Sequence, residues 1–196
     1  MNFDYLRASV HGWLMHFLGR NGSAAAAYET AFQAKPTSAQ AARNLAAIAA
    51  EMKDMASSEK WFEIAVKLEP GDAGSWFNLG FVRDATGKKK EAIIAFTEAL
   101  SILPTLDQAW YGMGLAHAAT GNHTEAARSL SEAVRLQPMN GIAYYQLGMA
   151  YHALEDSCNV KKTIEKVTRF DPAQAKRLIL DTAHTELLHR LPEGLR

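Results

Sequence analysis

The chain has 196 residues, of which 48% are hydrophobic, and its 21 Lys and Arg residues balance 21 Asp and Glu residues. This apolar content is enough for a sizeable core and argues against wholesale disorder. The charge balance argues against a nucleic-acid binder that relies mainly on electrostatic attraction, because such proteins carry an excess of Lys and Arg. The single cysteine, Cys158, excludes an internal disulfide and a zinc site built from cysteines alone.

The first twenty residues contain one short apolar run, from Trp13 to Leu18, which His16 interrupts. A secretory signal needs a basic start, a longer apolar segment and small residues at a cleavage site, and only Ala24–Ala27 resembles the last of these. No stretch reaches the roughly 18 apolar residues that a membrane-spanning helix needs. We therefore expect a cytoplasmic protein without a membrane span, and an N-terminal export signal is the alternative.

Five of the six prolines recur at a constant interval of 34 residues. They are Pro36, Pro70, Pro104, Pro138 and Pro172. A fixed period of this length is typical of proteins built from stacked structural repeats. We expect one domain over residues 1–196 that contains five repeats, at 5–38, 39–72, 73–106, 107–140 and 141–174.

Each repeat has the residue pattern of two helices joined by a turn. In the third repeat, Trp76, Leu79 and Gly80 recur at helical spacing. A second helical face follows, formed by Ala92, Ala95, Phe96 and Ala99. Gly87 lies between the two and can adopt the positive φ that ends a helix. Pro104 stops the second helix because it lacks an amide hydrogen. One such hairpin cannot bury its apolar face alone, so the repeats are expected to stack.

The third repeat carries a signature that resembles the tetratricopeptide repeat (TPR) family: Trp76-Phe77-Asn78-Leu79-Gly80, then Ala92, Phe96, Ala99 and Pro104. The resemblance covers almost the whole chain. It implies an all-α fold, a right-handed superhelical solenoid of five helix-turn-helix units. The second and fifth repeats depart from the pattern, because Lys53 and Glu155 replace the turn glycine.

The residues after the last repeat have the pattern of a capping helix over residues 173–191. Leu178, Ile179, Leu187 and Leu191 fall on one apolar stripe. A terminal helix of this kind covers the apolar face that the last hairpin would otherwise expose. The alternative is a helix that binds a partner.

Motifs for catalysis or cofactor binding are not found in the sequence. It has no phosphate-binding loop, no dinucleotide fingerprint, no His-Glu-x-x-His zinc site and no nucleophile elbow. The seven histidines do not supply three metal ligands at suitable spacing. Cys158 lacks a clear acid or base partner and is expected to be a small buried thiol. We therefore expect no enzyme activity, no metal and no cofactor, although a metal-dependent or thiol enzyme is retained as an alternative hypothesis.

The TPR resemblance implies a concave groove, lined by the first helix of each repeat, that binds peptides or partner helices. Position within the repeat then assigns the groove residues to three rows. The first row is Arg43, Phe77, Tyr111 and Tyr145, the second includes Asn44, Asn78 and Gln146, and the third includes Phe81, Leu115 and Met149. One branch of the family grips carboxylate termini of chaperones with Lys, Asn and Arg residues. Only Arg43 and Asn78 match that set here, so we do not expect this type of ligand.

Aromatic and amide side chains dominate the three rows. Aromatic rings and methionine offer apolar area that adapts to a ligand, and amides can pair with a peptide backbone. The favoured hypothesis is thus a non-enzymatic adaptor that binds an extended apolar peptide or an amphipathic helix of a partner protein. The alternative is a structural scaffold that assembles with copies of itself, because Trp13, Met15 and Phe17 give the first repeat an apolar surface that suits a homodimer. Nucleic acid is not an expected partner.

Overall fold

The computed structural model describes residues 2–195, and every regular element in this range is helical. The all-α helical repeat predicted from the sequence is therefore confirmed. The chain divides into two compact units, one ending at Pro104 and the other beginning at Thr105. They are called unit 1 and unit 2 below, and each is described separately.

Unit 1 consists of three helix pairs. Its helices are α1 (Phe3–Phe17), α2 (Asn21–Ala34), α3 (Ala39–Glu51), α4 (Met55–Leu68), α5 (Ala73–Ala85) and α6 (Lys89–Ile102). The two helices of each pair pack against each other, and α2 and α4 also pack against the first helix of the next pair. Apolar side chains of α4 and α5 form one part of the core, around Phe62, Leu79 and Val82.

Unit 2 consists of two helix pairs and a C-terminal segment. Its helices are α7 (Asp107–Ala119), α8 (His123–Leu136), α9 (Gly141–Ala153), α10 (Ser157–Thr168) and α11 (Pro172–Asp181), followed by 3-10 helices at Thr185–Arg190 and Glu193–Leu195. The helix α11 packs against both α9 and α10. Leu178 and Ile179 of α11 are fully buried in the core of this unit.

Short polar side chains begin many of the helices. Ser38 accepts a hydrogen bond from the amide of Ala41 at 3.2 Å, and Asp54 accepts one from the amide of Ser57 at 3.1 Å. Such caps satisfy amides that have no partner within the helix. The residues at which these helices begin therefore follow from the local sequence, because each capping residue directly precedes a run with helical periodicity.

A small residue of the first helix sets the distance between the helices of a pair. At Gly80 a side-chain β-carbon would lie 2.7 Å from the ring of Phe96 on the paired helix α6. This distance is far below van der Waals contact, so only glycine allows the fully buried ring to lie against the backbone of α5.

The turn between paired helices uses the same backbone conformation in all five pairs. A residue with positive φ occupies the turn in each of them: Gly19, Lys53, Gly87, Gly121 and Glu155, with φ between 59° and 81°. The role predicted for Gly87 is thus confirmed. Two of these turns place a residue with a β-carbon where glycine is favoured, and this left-handed conformation costs on the order of 1–2 kcal/mol.

The C-terminal segment differs from the single helix predicted over residues 173–191. The α-helix ends at Asp181, and Ala183 adopts a φ of 58°. The amide of His184 then donates to the carbonyl of Ile179 at 3.0 Å, which closes the helix end. After this reversal Leu187 and Leu191 return to the core. The apolar spacing continues through the turn, so the pattern alone did not reveal the break.

Charged side chains join α4 to α5 and to the turn that follows α5. Arg83 of α5 donates to Glu59 at 3.2 Å and to Glu63 at 2.7 Å, and Lys88 donates to Glu59 at 2.6 Å. Burial alone would raise the pKa of Glu59, but the hydrogen bonds and charges of Lys88 and Arg83 outweigh burial and hold this pKa below its ordinary value of 4.5.

Replacing the non-glycine turn residues should stabilise the protein. We expect Lys53→Gly and Glu155→Gly each to raise the free energy of unfolding by about 0.5–1 kcal/mol, since relief of the strained φ exceeds the added chain entropy of glycine. Denaturant unfolding followed by circular dichroism measures this. Gly87→Ala is the matched control and should destabilise by about 1 kcal/mol. Unchanged stability in both glycine variants would show that the positive φ at Lys53 and Glu155 is not strained.

Acid should weaken the link between α4 and α5. Because the pKa of Glu59 is lowered in the folded state, its contribution is fully present above pH 4.5 and is lost as the pH falls below that value. Glu59→Gln should cost about 1–2 kcal/mol at neutral pH and reduce the acid dependence of stability. Unfolding measured from neutral pH downward tests this. The exposed Glu98→Gln on α6 serves as the control, and an equal effect there would refute the assignment.

Candidate functional site

In unit 1, the first helices α1 and α3 enclose a shallow cleft of about 250 Å³. Its walls are formed by Tyr5, Ser9, Val10, Trp13, Tyr28, Gln40 and Asn44. Trp13 is 60% exposed although it is large and apolar. The Gln40 amide donates to the side-chain oxygen of Asn44 at 2.9 Å, so the polar edge of the cleft is held in place by a hydrogen bond.

The predicted groove residue Arg43 is already bound within the fold. Its guanidinium donates to Glu69 at 2.6 Å and to Asp72 at 3.1 Å. Burial by itself would raise the pKa of Asp72, but the hydrogen bond from Ser75 and the charge of Arg43 lower it overall. Arg43 therefore connects α3 to the end of α4 and the start of α5, and a ligand carboxylate would compete with Glu69 and Asp72 for it.

The predicted residues on α5 differ in how accessible they are. Phe77 is half-buried, and its ring centroid lies 6.0 Å from that of Phe96. Asn78 is exposed, and Phe81 is 57% exposed. Asn78 and Phe81 thus provide an amide and an aromatic ring that the fold does not use.

In unit 2 the predicted residue Tyr145 is covered by the C-terminal helix. Its ring is buried, its hydroxyl donates to Asp181 at 2.8 Å, and the Arg177 guanidinium lies 4.3 Å from the ring centroid. Burial raises the pKa of Tyr145, and the hydrogen bond to Asp181 acts in the same direction. Sequence patterns did not indicate this contact, because α11 lies 36 residues away along the chain.

The other predicted residues of unit 2 are partly accessible. They are Tyr111, Leu115, Gln146 and Met149. Tyr111 and Met149 pack against the core of the unit, and burial raises the pKa of Tyr111. Ile142, on the same first helix as Gln146, is 55% exposed and was not predicted. The first helices of unit 2 therefore present a mixed apolar and amide surface.

Position in the repeat adds three residues to the predicted rows. Ser9, Val10 and Trp13 lie 34 residues before Arg43, Asn44 and Ala47. Extending the rows by one more repeat places these residues in the cleft between α1 and α3. They were left out because the predicted rows begin at the second repeat.

The remaining sequence predictions concern Cys158, the histidines, metal binding and membrane-spanning helices. Cys158, expected to be buried, is exposed at the start of α10, where the first residues of a helix face solvent. His16 lies 3.0 Å from the carboxylate of Glu51 and so contributes to a surface contact. Within residues 2–195 no three His, Cys, Asp or Glu side chains are grouped to hold a metal ion, and no helix is long and apolar enough to cross a membrane.

Comparison with protein families decides the classification. Two family models described as "Tetratricopeptide repeat" match the chain, one at residues 17–73 and 108–157 and the other at 73–105 and 142–174. The chain belongs to the tetratricopeptide repeat family. A search of curated proteins gave no significant match. TPR domains in general mediate protein–protein interactions, and this chain is accordingly a protein-interaction or scaffold module.

Solved structures of TPR proteins share the fold at low sequence identity. A crystal structure of MamA is 20% identical and superposes with a TM-score of 0.83, covering 90% of this chain and 96% of that one. YrrB, described as a TPR protein with an unusual peptide-binding site, is 18% identical with a TM-score of 0.80, covering 94% and 93%. MamA from Desulfovibrio magneticus RS-1 is 16% identical with a TM-score of 0.79, covering 87% and 97%.

Proposed function

We propose that this protein is a non-enzymatic adaptor whose first-helix surface binds an extended apolar peptide or an amphipathic helix of a partner protein. The observation that carries the proposal is that Trp13 and Phe81 remain more than half exposed at equivalent repeat positions within unit 1. Asn44 and Asn78 occupy the neighbouring row and can pair with peptide amides and carbonyls. In unit 2, Leu115, Gln146 and Met149 offer the same combination.

The chemistry of these side chains favours a peptide over a small molecule. Exposed aromatic rings are the residues that most often dominate protein interfaces. The cleft between α1 and α3 is shallow and open at about 250 Å³, whereas small-molecule sites are deep and enclosed. YrrB, which shares the fold, is described as having a peptide-binding site, and we extend peptide recognition to this chain as part of the proposal.

Binding should depend on Phe81. A random peptide library displayed on phage would be selected against the full chain, and the affinity of the enriched peptides would be measured by fluorescence anisotropy. We expect apolar or amphipathic sequences, and we expect Phe81→Ala to weaken their binding by about tenfold, the usual loss for one exposed aromatic anchor. Phe77 and Tyr145 are unsuitable positions for this test because their rings also support the core.

The matched control for this experiment is Ile94→Ala. Ile94 is 59% exposed on the second helix α6 of the same pair, so it has the exposure of Phe81 but not its position. Its loss should leave peptide affinity unchanged. Equal peptide binding by wild type and Phe81→Ala, or equal weakening by Phe81→Ala and Ile94→Ala, would refute peptide binding in the groove.

A second candidate function, self-assembly, is favoured by the exposed apolar face of α1, part of which also lines the cleft between α1 and α3. Six apolar side chains there are between 42% and 76% exposed, and we call them the α1 stripe: Phe3, Leu6, Val10, Trp13, Leu14 and Phe17. The inward face of the same helix is built on the small residues Ala8 and Gly12. The helix thus exposes its more apolar side, which is unusual for a surface helix.

A second copy of α1 would match this stripe. Most of its members recur at alternating spacings of three and four residues. If two copies of α1 pair antiparallel with Val10 at the centre, Phe3 of one copy lies opposite Phe17 of the other. Leu6 then lies beside Trp13 of the other copy. The exposed part of the stripe amounts to roughly 600 Å² per copy, close to the area of about 800 Å² per partner in stable interfaces. The net charge of zero adds no long-range repulsion between copies.

Self-assembly should therefore depend on protein concentration and on the α1 stripe. Sedimentation equilibrium should show a mass that rises from monomer to dimer, and Phe3→Ser with Phe17→Ser should shift the midpoint to at least about tenfold higher concentration. Phe81→Ala should not change it, which separates this function from groove binding. A strict monomer at all concentrations would exclude the second candidate.

A further inference from the structure

A separate cleft of about 470 Å³ lies in unit 2 between the second helices α8 and α10. Tyr144, Leu147 and Tyr151 of α9 contribute to its floor. The remaining lining residues come from α8 and α10 and the start of the following turn: Ser131, Val134, Arg135, Asn159, Lys162, Thr163, Glu165, Lys166 and Arg169. The predicted groove residues of α9, namely Tyr145, Gln146 and Met149, are not among its lining residues, so this cleft is a different surface.

Four of the lining side chains are cationic, and we call the site the basic cleft. Arg135 pairs with Glu132 at 2.9 Å. Lys162, Lys166 and Arg169 have no salt bridge within residues 2–195. The basic cleft therefore presents three positive charges that the fold leaves without a bound carboxylate.

The carboxylates near the basic cleft already bind other groups of the protein. Glu165 lines the cleft but binds Arg190 at 2.7 Å. Asp156 lies near Lys162, yet its oxygens accept hydrogen bonds from the backbone and the side chain of Asn159 at the start of α10. A ligand carboxylate would consequently meet little competition from within the protein.

Among the five repeats, only the last has cations at all three positions of Lys162, Lys166 and Arg169, although α4 and α8 have them at the first and third. The residues at the positions of Lys162, Lys166 and Arg169 in α6 are Ile94, Glu98 and Ser101. In unit 1 the comparable space between α2 and α4 is smaller, about 170 Å³, and its charged lining residues are Glu29 and Asp54. The space between successive second helices is thus lined by cations in unit 2 and by carboxylates in unit 1.

The floor of the basic cleft is apolar and aromatic. Leu147 and Tyr144 are buried, and Tyr144 packs edge-on against Phe170 with ring centroids 5.4 Å apart. Tyr151 and Ser131 place their hydroxyls 3.4 Å from each other beside this floor. An apolar floor beneath a cationic rim fits a ligand that combines negative charge with an apolar side chain.

We propose that the basic cleft binds an acidic peptide segment of a partner protein, with an aromatic or aliphatic residue of that segment on the Tyr144–Leu147 floor and its carboxylates on Lys162, Lys166 and Arg169. Charge attraction of this kind raises association rates and selects among partners. Nucleic acid fits less well, because its binding sites extend along a cationic track and the cations here are confined to one cleft in a chain without net charge.

The test uses the full chain and a fluorescein-labelled acidic peptide of Glu and Asp residues around one Trp-Leu pair. We expect saturable binding that weakens as salt rises. Replacing the acids by Gln and Asn, or the Trp-Leu pair by Ala-Ala, should each reduce affinity. Lys162→Glu with Lys166→Glu should reduce it by at least about tenfold. Lys166→Arg should retain it.

A matched control variant reverses the same charges in unit 1. Lys60→Glu with Lys67→Glu changes exposed lysines on the second helix α4, at the repeat positions of Lys162 and Arg169, and should leave affinity unchanged. Phe81→Ala should also leave it unchanged, so failure here and failure of the proposed groove are distinguishable. The proposal is overturned if the amide peptide binds as well as the acidic one, if the unit 1 control weakens binding equally, or if an oligothymidylate binds as tightly as the peptide.

Discussion

The close contact between a small residue on one helix and a large side chain on its pair is the constraint on which the rest of the structure depends. At Gly80 the ring of Phe96 occupies the space that a β-carbon would need. The same contact recurs between Gly12 and Tyr28 and between Gly114 and Leu130. Because one face of α5 is committed to this contact, Phe81 on another face stays outside the core. Exposed residues such as Phe81 can then vary with function at little cost to folding.

Much of the fold could be predicted from residue spacing, because the repeat determines which positions are buried. Helices, turns and the close approach at Gly80 follow from local chemistry that recurs every 34 residues. Even Lys53 and Glu155 adopt the turn conformation expected of glycine, since their neighbours in the hairpin impose it. Prediction was weaker where contacts are not periodic. The break at Ala183 and the covering of Tyr145 by Arg177 and Asp181 depend on the C-terminal segment, which belongs to no repeat.

The candidate surfaces were predictable to different degrees for the same reason. The predicted rows follow from position in the repeat, but the accessibility of their members does not, because Arg43 is held by Glu69 at the end of α4 and by Asp72 at the start of α5. The basic cleft was not predicted from the sequence. Lys162, Lys166 and Arg169 recur every three or four residues in one stretch, but the sequence did not reveal the cleft between α8 and α10 that they line. Only the packing of two second helices over Tyr144 and Leu147 brings them together.

The basic cleft also bears on how the molecule behaves at a distance. Unit 1 and unit 2 each contain equal numbers of acidic and basic residues, so neither has a net charge. In unit 2, carboxylates such as Asp107, Glu125 and Glu155 are not among the residues that line the cleft. Lys162, Lys166 and Arg169 therefore give the cleft a local positive potential although the unit as a whole is neutral. A local potential of this kind raises the concentration of an anionic segment near the cleft before any contact is made.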